Sequence, residues 1–311
     1  PYSGYCITTG GCNITMGASA GCKMTTGGSN ILIGKKAGSN AAITGSRNIF
    51  MGEYAGDNTT SGTDNIGFGY LTLASATLVG GYNVAFGREA GRKYAGSNGC
   101  NVYIGNRAGC GGTGTVDGVN NIMLGMSAGR QIDGGDNNIF MGCYAGKIVS
   151  SGSNNILLGD QAGVVATTAN HNFFVGCHAG KAVTTSSCNI AIGLCALCAQ
   201  TDGHSANGNN VAIGQESLAK TTCLNNIGIG KGAGKGGSGT VSYKHSIFLG
   251  TNAGGYINSG NCSIFLGRYA GRGNSSGGVT GHDNIAIGGD AGCNISSGGT
   301  NILLGKNAGK T

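Results

Sequence analysis

The nine residues NIFMGCYAG, from Asn138 to Gly146, carry the pattern that decides the fold. Close variants recur 17 times along the 311-residue chain, for example NILIGKKAG from Asn30 and NILLGDQAG from Asn155. Successive copies are 16 to 21 residues apart, and most spacings are 17 or 18. A repeat of this length is typical of a solenoid in which each repeat forms one coil. We number the positions of a coil from the Asn, so that Asn138 is position 1.

Positions 2 and 4 are apolar in every copy, which is the alternation expected of a short strand with one face toward a core. Glycine at positions 5 and 9 favours a corner, because it adopts positive φ without a steric penalty. About eight variable residues follow before the next copy. The sequence therefore predicts an all-β fold, a parallel β-solenoid of about 17 coils, in a single continuous repeat array over residues 1–311.

The composition excludes several classes of protein. With 66 Gly and only one Pro, the chain is neither collagen-like nor a helical domain. With 39% hydrophobic and 10% charged residues, it is not a disordered chain. The net charge of +7 is scattered singly, which predicts no nucleic-acid partner. No apolar run approaches the length of about 20 residues that a membrane-spanning helix needs.

Position 3 is apolar in most coils, although a strand with one exposed face should carry polar residues there. A strand that is apolar on both faces is usually covered on both faces. We therefore predict that position 3 points outward and forms an oligomer interface with other chains. The residues of this predicted interface are Leu32, Phe50, Tyr103, Met123, Phe140, Leu157, Phe174, Phe248, Phe265 and Leu303.

Both ends of the chain fall inside a coil. PYSG, from Pro1, matches the second half of the motif, and Thr311 lies two residues after the last Ala-Gly pair. Solenoids normally end in atypical capping repeats, and an uncapped end exposes unpaired backbone. We therefore expect uncapped ends, which indicate either a segment of a longer array or subunits that stack end to end.

Six of the 13 cysteines occur as three pairs, each with a spacing of ten residues and in the same two frames of the coil. This regularity predicts three disulfides within coils and an oxidising compartment, with zinc sites as the alternative. The predicted pairs are Cys12 with Cys22, Cys100 with Cys110, and Cys188 with Cys198.

The other cysteines have no predicted partner within the chain. Cys143 and Cys177 share position 6 two coils apart, too far for a bridge, so they either stay reduced or cross-link chains. Cys195 and Cys198 form a C-x-x-C sequence outside the βαβ context of redox proteins. The cysteines left unassigned are Cys6, Cys195, Cys223, Cys262 and Cys293.

No motif of an enzyme emerges from the sequence. The five His residues show no fixed relation to Cys, Ser or carboxylates, so we predict no catalytic residue, no metal site and no cofactor. Paired Ser and Thr recur in the arms between motifs, and as a ladder they would suit an ice- or glycan-binding solenoid, although turn formation is the simpler interpretation. N-glycosylation sequons in the arms begin at Asn58, Asn261, Asn274 and Asn294.

The repeat resembles the head repeats of trimeric autotransporter adhesins, and more closely the NIAIGYQAG-like arrays of phage and algal-virus tail-fibre proteins. The resemblance covers essentially the whole chain and implies a left-handed β-roll, three chains side by side, and an extracellular, cell-surface or virion location. We therefore expect a structural fibre subunit that assembles with itself and mediates attachment to a host surface or glycan. The alternative is the ice- or glycan-binding solenoid.

Overall fold

The computed structural model describes residues 2–74, 79–96, 99–112, 117–200, 208–222, 224–237, 241–274 and 278–310. It shows the predicted parallel β-solenoid, with one three-residue strand at positions 2–4 of each motif copy. The strands are β1 Ile14–Met16, β2 Ile31–Ile33, β3 Ile49–Met51, β4 Ile66–Phe68, β5 Val84–Phe86, β6 Val102–Ile104, β7 Ile122–Leu124, β8 Ile139–Met141, β9 Ile156–Leu158, β10 Phe173–Val175, β11 Ile190–Ile192, β12 Val211–Ile213, β13 Ile227–Ile229, β14 Ile247–Leu249, β15 Ile264–Leu266, β16 Ile285–Ile287 and β17 Ile302–Leu304. Within the described ranges, no helix is long and apolar enough to cross a membrane.

The chain divides into two compact units, Pro1–Asn155 with strands β1 to β8 and Ile156–Thr311 with strands β9 to β17. Within each unit, a strand pairs in parallel with the strand of the next coil, position for position. The motif itself continues through the boundary without interruption. Because the chain divides into two units, the single continuous array over residues 1–311 stays a prediction.

The corner after each strand has a fixed backbone conformation. In the second unit, Gly176 at position 5 has a φ of 132°, His178 at position 7 has 60°, and Gly180 at position 9 has 59°. The same sequence of positive φ values recurs in the first unit at Gly142, Tyr144 and Gly146. The φ of position 5 is one that residues with a Cβ rarely adopt, which explains its glycine. Position 7 has a residue other than Gly in the left-handed region in both coils.

The predicted outward orientation of position 3 is wrong, because these side chains fill the interior of the coil. All of them except one are buried, and Leu303 in the last coil is half-buried. The sequence correctly predicts that residues of the strand alternate between two faces, but it assigns the wrong residues to the interior. A shift of one residue exchanges the two faces of a strand. Positions 2 and 4 face outward instead. The buried residues are Leu32, Phe50, Tyr103, Met123, Phe140, Leu157, Phe174, Phe248 and Phe265.

The interior is narrow, and small residues at the corner make room for the large side chain at position 3. Ala179 at position 8 is fully buried. A Cβ atom on Gly180, at position 9, would lie 2.3 Å from the ring of Phe174. A side chain from the arm, Val183, completes this layer of the core. Coils with a large residue at position 3 bury it in this way, and the burial of successive layers stabilises the stack.

Asparagine at position 1 forms a buried ladder of side-chain amides within each unit. The Asn138 amide group donates to Asn121 Oδ1 at 3.1 Å and to the Gly152 carbonyl at 2.9 Å. Its own Oδ1 accepts from the backbone N–H of Asn155 at 3.0 Å and from the amide of that residue at 3.1 Å. The stacked amides thus form a hydrogen-bonded ladder, and it satisfies backbone groups that lie away from water.

Removing one amide from this ladder is expected to destabilise the fold. Asn138→Ala leaves the Gly152 carbonyl and the Asn155 N–H without their partner, so the free energy of unfolding falls by about 2–4 kcal/mol. Denaturant titration followed by circular dichroism measures the change. Asn106→Ala, at an exposed position of the same unit whose φ lies outside the positive region, serves as the control, and an equal loss in both variants contradicts the structural role of the ladder.

The three predicted disulfides are not formed, and all six cysteines are free thiols. The Cys198 thiol hydrogen-bonds with Cys195 rather than pairing with Cys188, and burial together with that contact raises the pKa of Cys198 to about 12. The Cys22 thiol contacts the Ser39 carbonyl at 3.6 Å, while Cys12 is exposed. One cysteine of each pair directly precedes the Asn and the other lies at position 10 of the coil. The surroundings of these two positions differ.

The middle pair shows the same separation of environments. Cys110 is buried and lies close enough to Glu89 and Arg107 for their charges to act on its thiol. Cys100 is exposed and instead lies close to Tyr94. The two thiols of one coil therefore belong to different clusters of side chains.

Candidate interaction surface

The outer face of the strands is an apolar feature that recurs in every coil. It consists of the first and last residue of every strand, which are Ile, Val, Leu, Met or Phe in all 17 strands. None of these residues is buried, and Ile190 and Ile229, for example, are 38% and 40% exposed. We call this set the outer apolar face. The sequence predicts correctly that these residues are apolar, but it places them in the core instead of on the outside.

Stacking in register arranges the outer apolar face as two columns in each unit. Phe68 and Phe86, which occupy position 4 of successive coils, stack with ring centroids 5.0 Å apart and planes within 5° of parallel. In the second unit, nine strands at a spacing of about 4.8 Å, with alternate side chains about 7 Å apart, give a flat area of about 300 Å². Exposed apolar patches of this size on a monomer are often interaction sites.

Charged side chains lie beside the outer apolar face, at the corners, where they pair between successive coils of the same chain. Lys35 and Glu53, both at position 6, form an ion pair at 2.9 Å. Arg47 and Asp64 precede their Asn residues and pair at 2.7 Å, and the hydrogen bond from Arg47 lowers the pKa of the Asp64 carboxyl. These charged side chains are paired with each other within the chain. The outer apolar face itself contains no charged residue.

A groove of about 420 Å³ in the first unit is lined by charged residues. Glu89 lies at its edge with only 4% exposure, and Arg88, Arg92 and Arg107 surround its carboxylate at 3.3, 3.6 and 3.0 Å. Burial alone would raise the pKa of Glu89, but the Arg107 hydrogen bond and the nearby positive charges outweigh it and lower the pKa. A carboxylate held ionised in this way is a weak general base.

The predicted glycosylation sites differ in accessibility. Asn274 and Asn294 are exposed, whereas Asn58 and Asn261 are half-buried. The Asn261 side-chain oxygen also accepts a hydrogen bond from the Lys244 backbone N–H at 2.8 Å. The Asn274 and Asn294 sequons are therefore more exposed to solvent than the other two.

The paired Ser and Thr residues of the arms support the backbone of the next coil. Thr167 Oγ1 donates to the Thr184 carbonyl at 3.2 Å, and Thr8 makes the equivalent bond to Thr25 at 3.1 Å. These hydroxyls have the turn-supporting role that small polar residues often take. The ice- or glycan-binding function stays a prediction.

Cys223, which has no predicted partner, lies outside the described residues.

Comparison of the chain with models of known families and with curated proteins finds no match.

Proposed function

We propose that the chain is a structural subunit of a fibre whose copies pack side by side through the outer apolar face. The observation that carries this proposal is the presence of two unbroken columns of apolar side chains on the outside of the strands in each unit. Water contact with such a surface is unfavourable by about 25 cal/mol for each Å² of apolar area. Association that covers it is therefore strongly favoured.

A second copy of the same chain is the partner that fits this surface best. Every strand of the repeat has the same length, and successive strands lie about 4.8 Å apart, so the side chains of two such faces interdigitate along many coils. The face carries no charge that would require an opposite charge on a partner. Self-association is thus supported by periodicity and by polarity together.

The setting of the fibre is part of the same proposal. The resemblance of the repeat to adhesin heads and tail-fibre arrays supports three copies in the assembly, an extracellular or virion surface, and a role in attachment to a host surface or glycan. The proposed subunit has a structural role and no catalytic one. A binding target would be recognised by exposed corners and arms, since the outer apolar face is occupied by the other copies.

Charge placed on the outer apolar face is expected to separate the copies without unfolding them. We expect the unmodified protein to have a mass of several chains by light scattering, and the double variant Phe173→Lys with Ile190→Lys to shift at least half of it to single chains. The physical reason is the cost of several kcal/mol for an unpaired charge buried in an apolar interface.

The matched control is the double variant Gln215→Lys with Thr251→Lys, which adds the same charge at exposed polar corners. It should keep the mass of the unmodified protein, and circular dichroism should be the same for all three proteins. A single-chain mass for the unmodified protein overturns the proposal, as does an unchanged mass for the variant on the outer apolar face.

A further inference from the structure

Three side chains with different metal-binding groups meet at one corner of the second unit. They are Asp160, Cys177 and His178, and one ligand atom from each lies within 4.8 Å of the other two. The Cys177 thiol points at Asp160 Oδ2, at 4.0 Å. Cys177 is exposed and the other two are half-buried, so the cluster is open to solvent on one side.

We propose that this cluster binds a divalent transition-metal ion of the zinc type, independently of the assembly proposed above. Thiolate, imidazole and carboxylate together are the donor set of zinc sites, whereas calcium and magnesium require oxygen ligands. Three protein ligands leave a fourth tetrahedral position for a water molecule or an outside ligand.

The stacking of coils produces the cluster from residues that are distant in sequence. Asp160 and Cys177 both occupy position 6 of adjacent coils, and the backbone N–H of His178, at position 7, donates to the Asp160 carbonyl at 2.9 Å. The same relation between position 6 residues brings Lys35 and Glu53 within 2.9 Å in the first unit. Adjacent coils thus hold two position 6 side chains close enough to share one ion.

The distances require only small adjustments for metal binding. In a tetrahedral zinc site, with bonds of about 2.0–2.3 Å, the ligand atoms lie about 3.3–3.6 Å from one another. The ligand atoms of the cluster are separated by up to 4.8 Å, so rotations of accessible side chains close the gap. On binding, the thiol releases its proton and the ion takes its place between sulfur and carboxylate.

Neighbouring groups support the same chemistry. Gln161 Nε2 donates to Asp160 Oδ2 at 3.2 Å, which orients the carboxylate as outer partners of metal ligands often do. Cys195 lies in the next coil, where its backbone N–H donates to the Cys177 carbonyl at 3.0 Å. The site is therefore embedded in a regular backbone that holds its ligands on two adjacent coils.

The test uses the full chain, stripped of metal and kept reduced, titrated with Co²⁺ and then with Zn²⁺. We expect a thiolate-to-cobalt absorption band that Zn²⁺ abolishes. Each of Asp160→Ala, Cys177→Ser and His178→Ala should weaken Zn²⁺ binding at this site at least about 100-fold, since even outer partners of a ligand contribute about 10- to 100-fold.

His245→Ala and Cys262→Ser are the matched controls, because both residues are exposed and His245 has a φ of 55°, close to the 60° of His178. Their affinity should stay within about twofold of the unmodified protein, and circular dichroism should show that every variant is folded. The proposal is overturned if the unmodified protein gives no thiolate-to-cobalt band. It is equally overturned if Cys177→Ser and His178→Ala bind both metals as the unmodified protein does.

Discussion

Replacing Phe174 by Ala lowers the free energy of unfolding by about 3–5 kcal/mol, the range typical of a large aromatic side chain removed from a core. Its ring is fully buried against the corner of its own coil, where Gly180 leaves it space. The adjacent Phe173 points outward and is only half-buried. The same replacement at Phe173 therefore costs about 1 kcal/mol or less within a single chain.

This pair of variants separates the two faces of one strand with the same change of side chain. Denaturant unfolding, monitored by circular dichroism in conditions where the protein is a single chain, gives both values. Equal losses for Phe173→Ala and Phe174→Ala would contradict the orientation of β10. A lysine at Phe174 should prevent folding of the surrounding coils, because it places an unpaired charge in the interior.

Gly176→Ala is expected to lower the free energy of unfolding by about 3–6 kcal/mol, as the sum of backbone strain and overpacking. The φ of Gly176 is 132°, a conformation that residues with a Cβ rarely adopt. A Cβ atom there would also lie 2.6 Å from the carbonyl oxygen of Gly193 in the next coil. Because that neighbour is backbone, the clash cannot be relieved by rotating a side chain.

Gly289→Ala provides the control for this variant. Gly289 has no heavy atom within 4 Å of an added Cβ and lies outside the positive φ region. The replacement should leave stability within about 0.5 kcal/mol or increase it slightly. The role of glycine at position 5 would be refuted if Gly176→Ala unfolded at the same denaturant concentration as Gly289→Ala.

The residue sizes at positions 3 and 9 are a signal in the sequence for the inward orientation of position 3, although the repeat motif alone does not show it. Three coils with a small residue at position 3 carry Leu instead of Gly at position 9, and these residues, Leu73, Leu197 and Leu218, are all fully buried. A large side chain at one of the two positions thus accompanies a small one at the other. Such compensation of volume indicates that both positions share one interior.

The cluster of Asp160, Cys177 and His178 has no comparable signal in the sequence. Asp160 and Cys177 are 17 residues apart, and their proximity becomes apparent only when the coils are stacked in register. The loss of the predicted disulfides has a related cause. A ten-residue spacing repeated in three coils is visible in the sequence, but the direction of each thiol depends on the corner from which it projects.

The repeated motif was enough to predict the solenoid, the length of its coil and the place of its strands. These features follow from local geometry repeated in every coil, so each copy of the motif states them again. The three-dimensional structure established which face of the strand is interior, because all three strand positions are apolar in most coils and the alternation along the strand alone has no preferred phase. It also decided which cysteines, histidines and carboxylates meet, since those contacts join different coils and depend on the register between them.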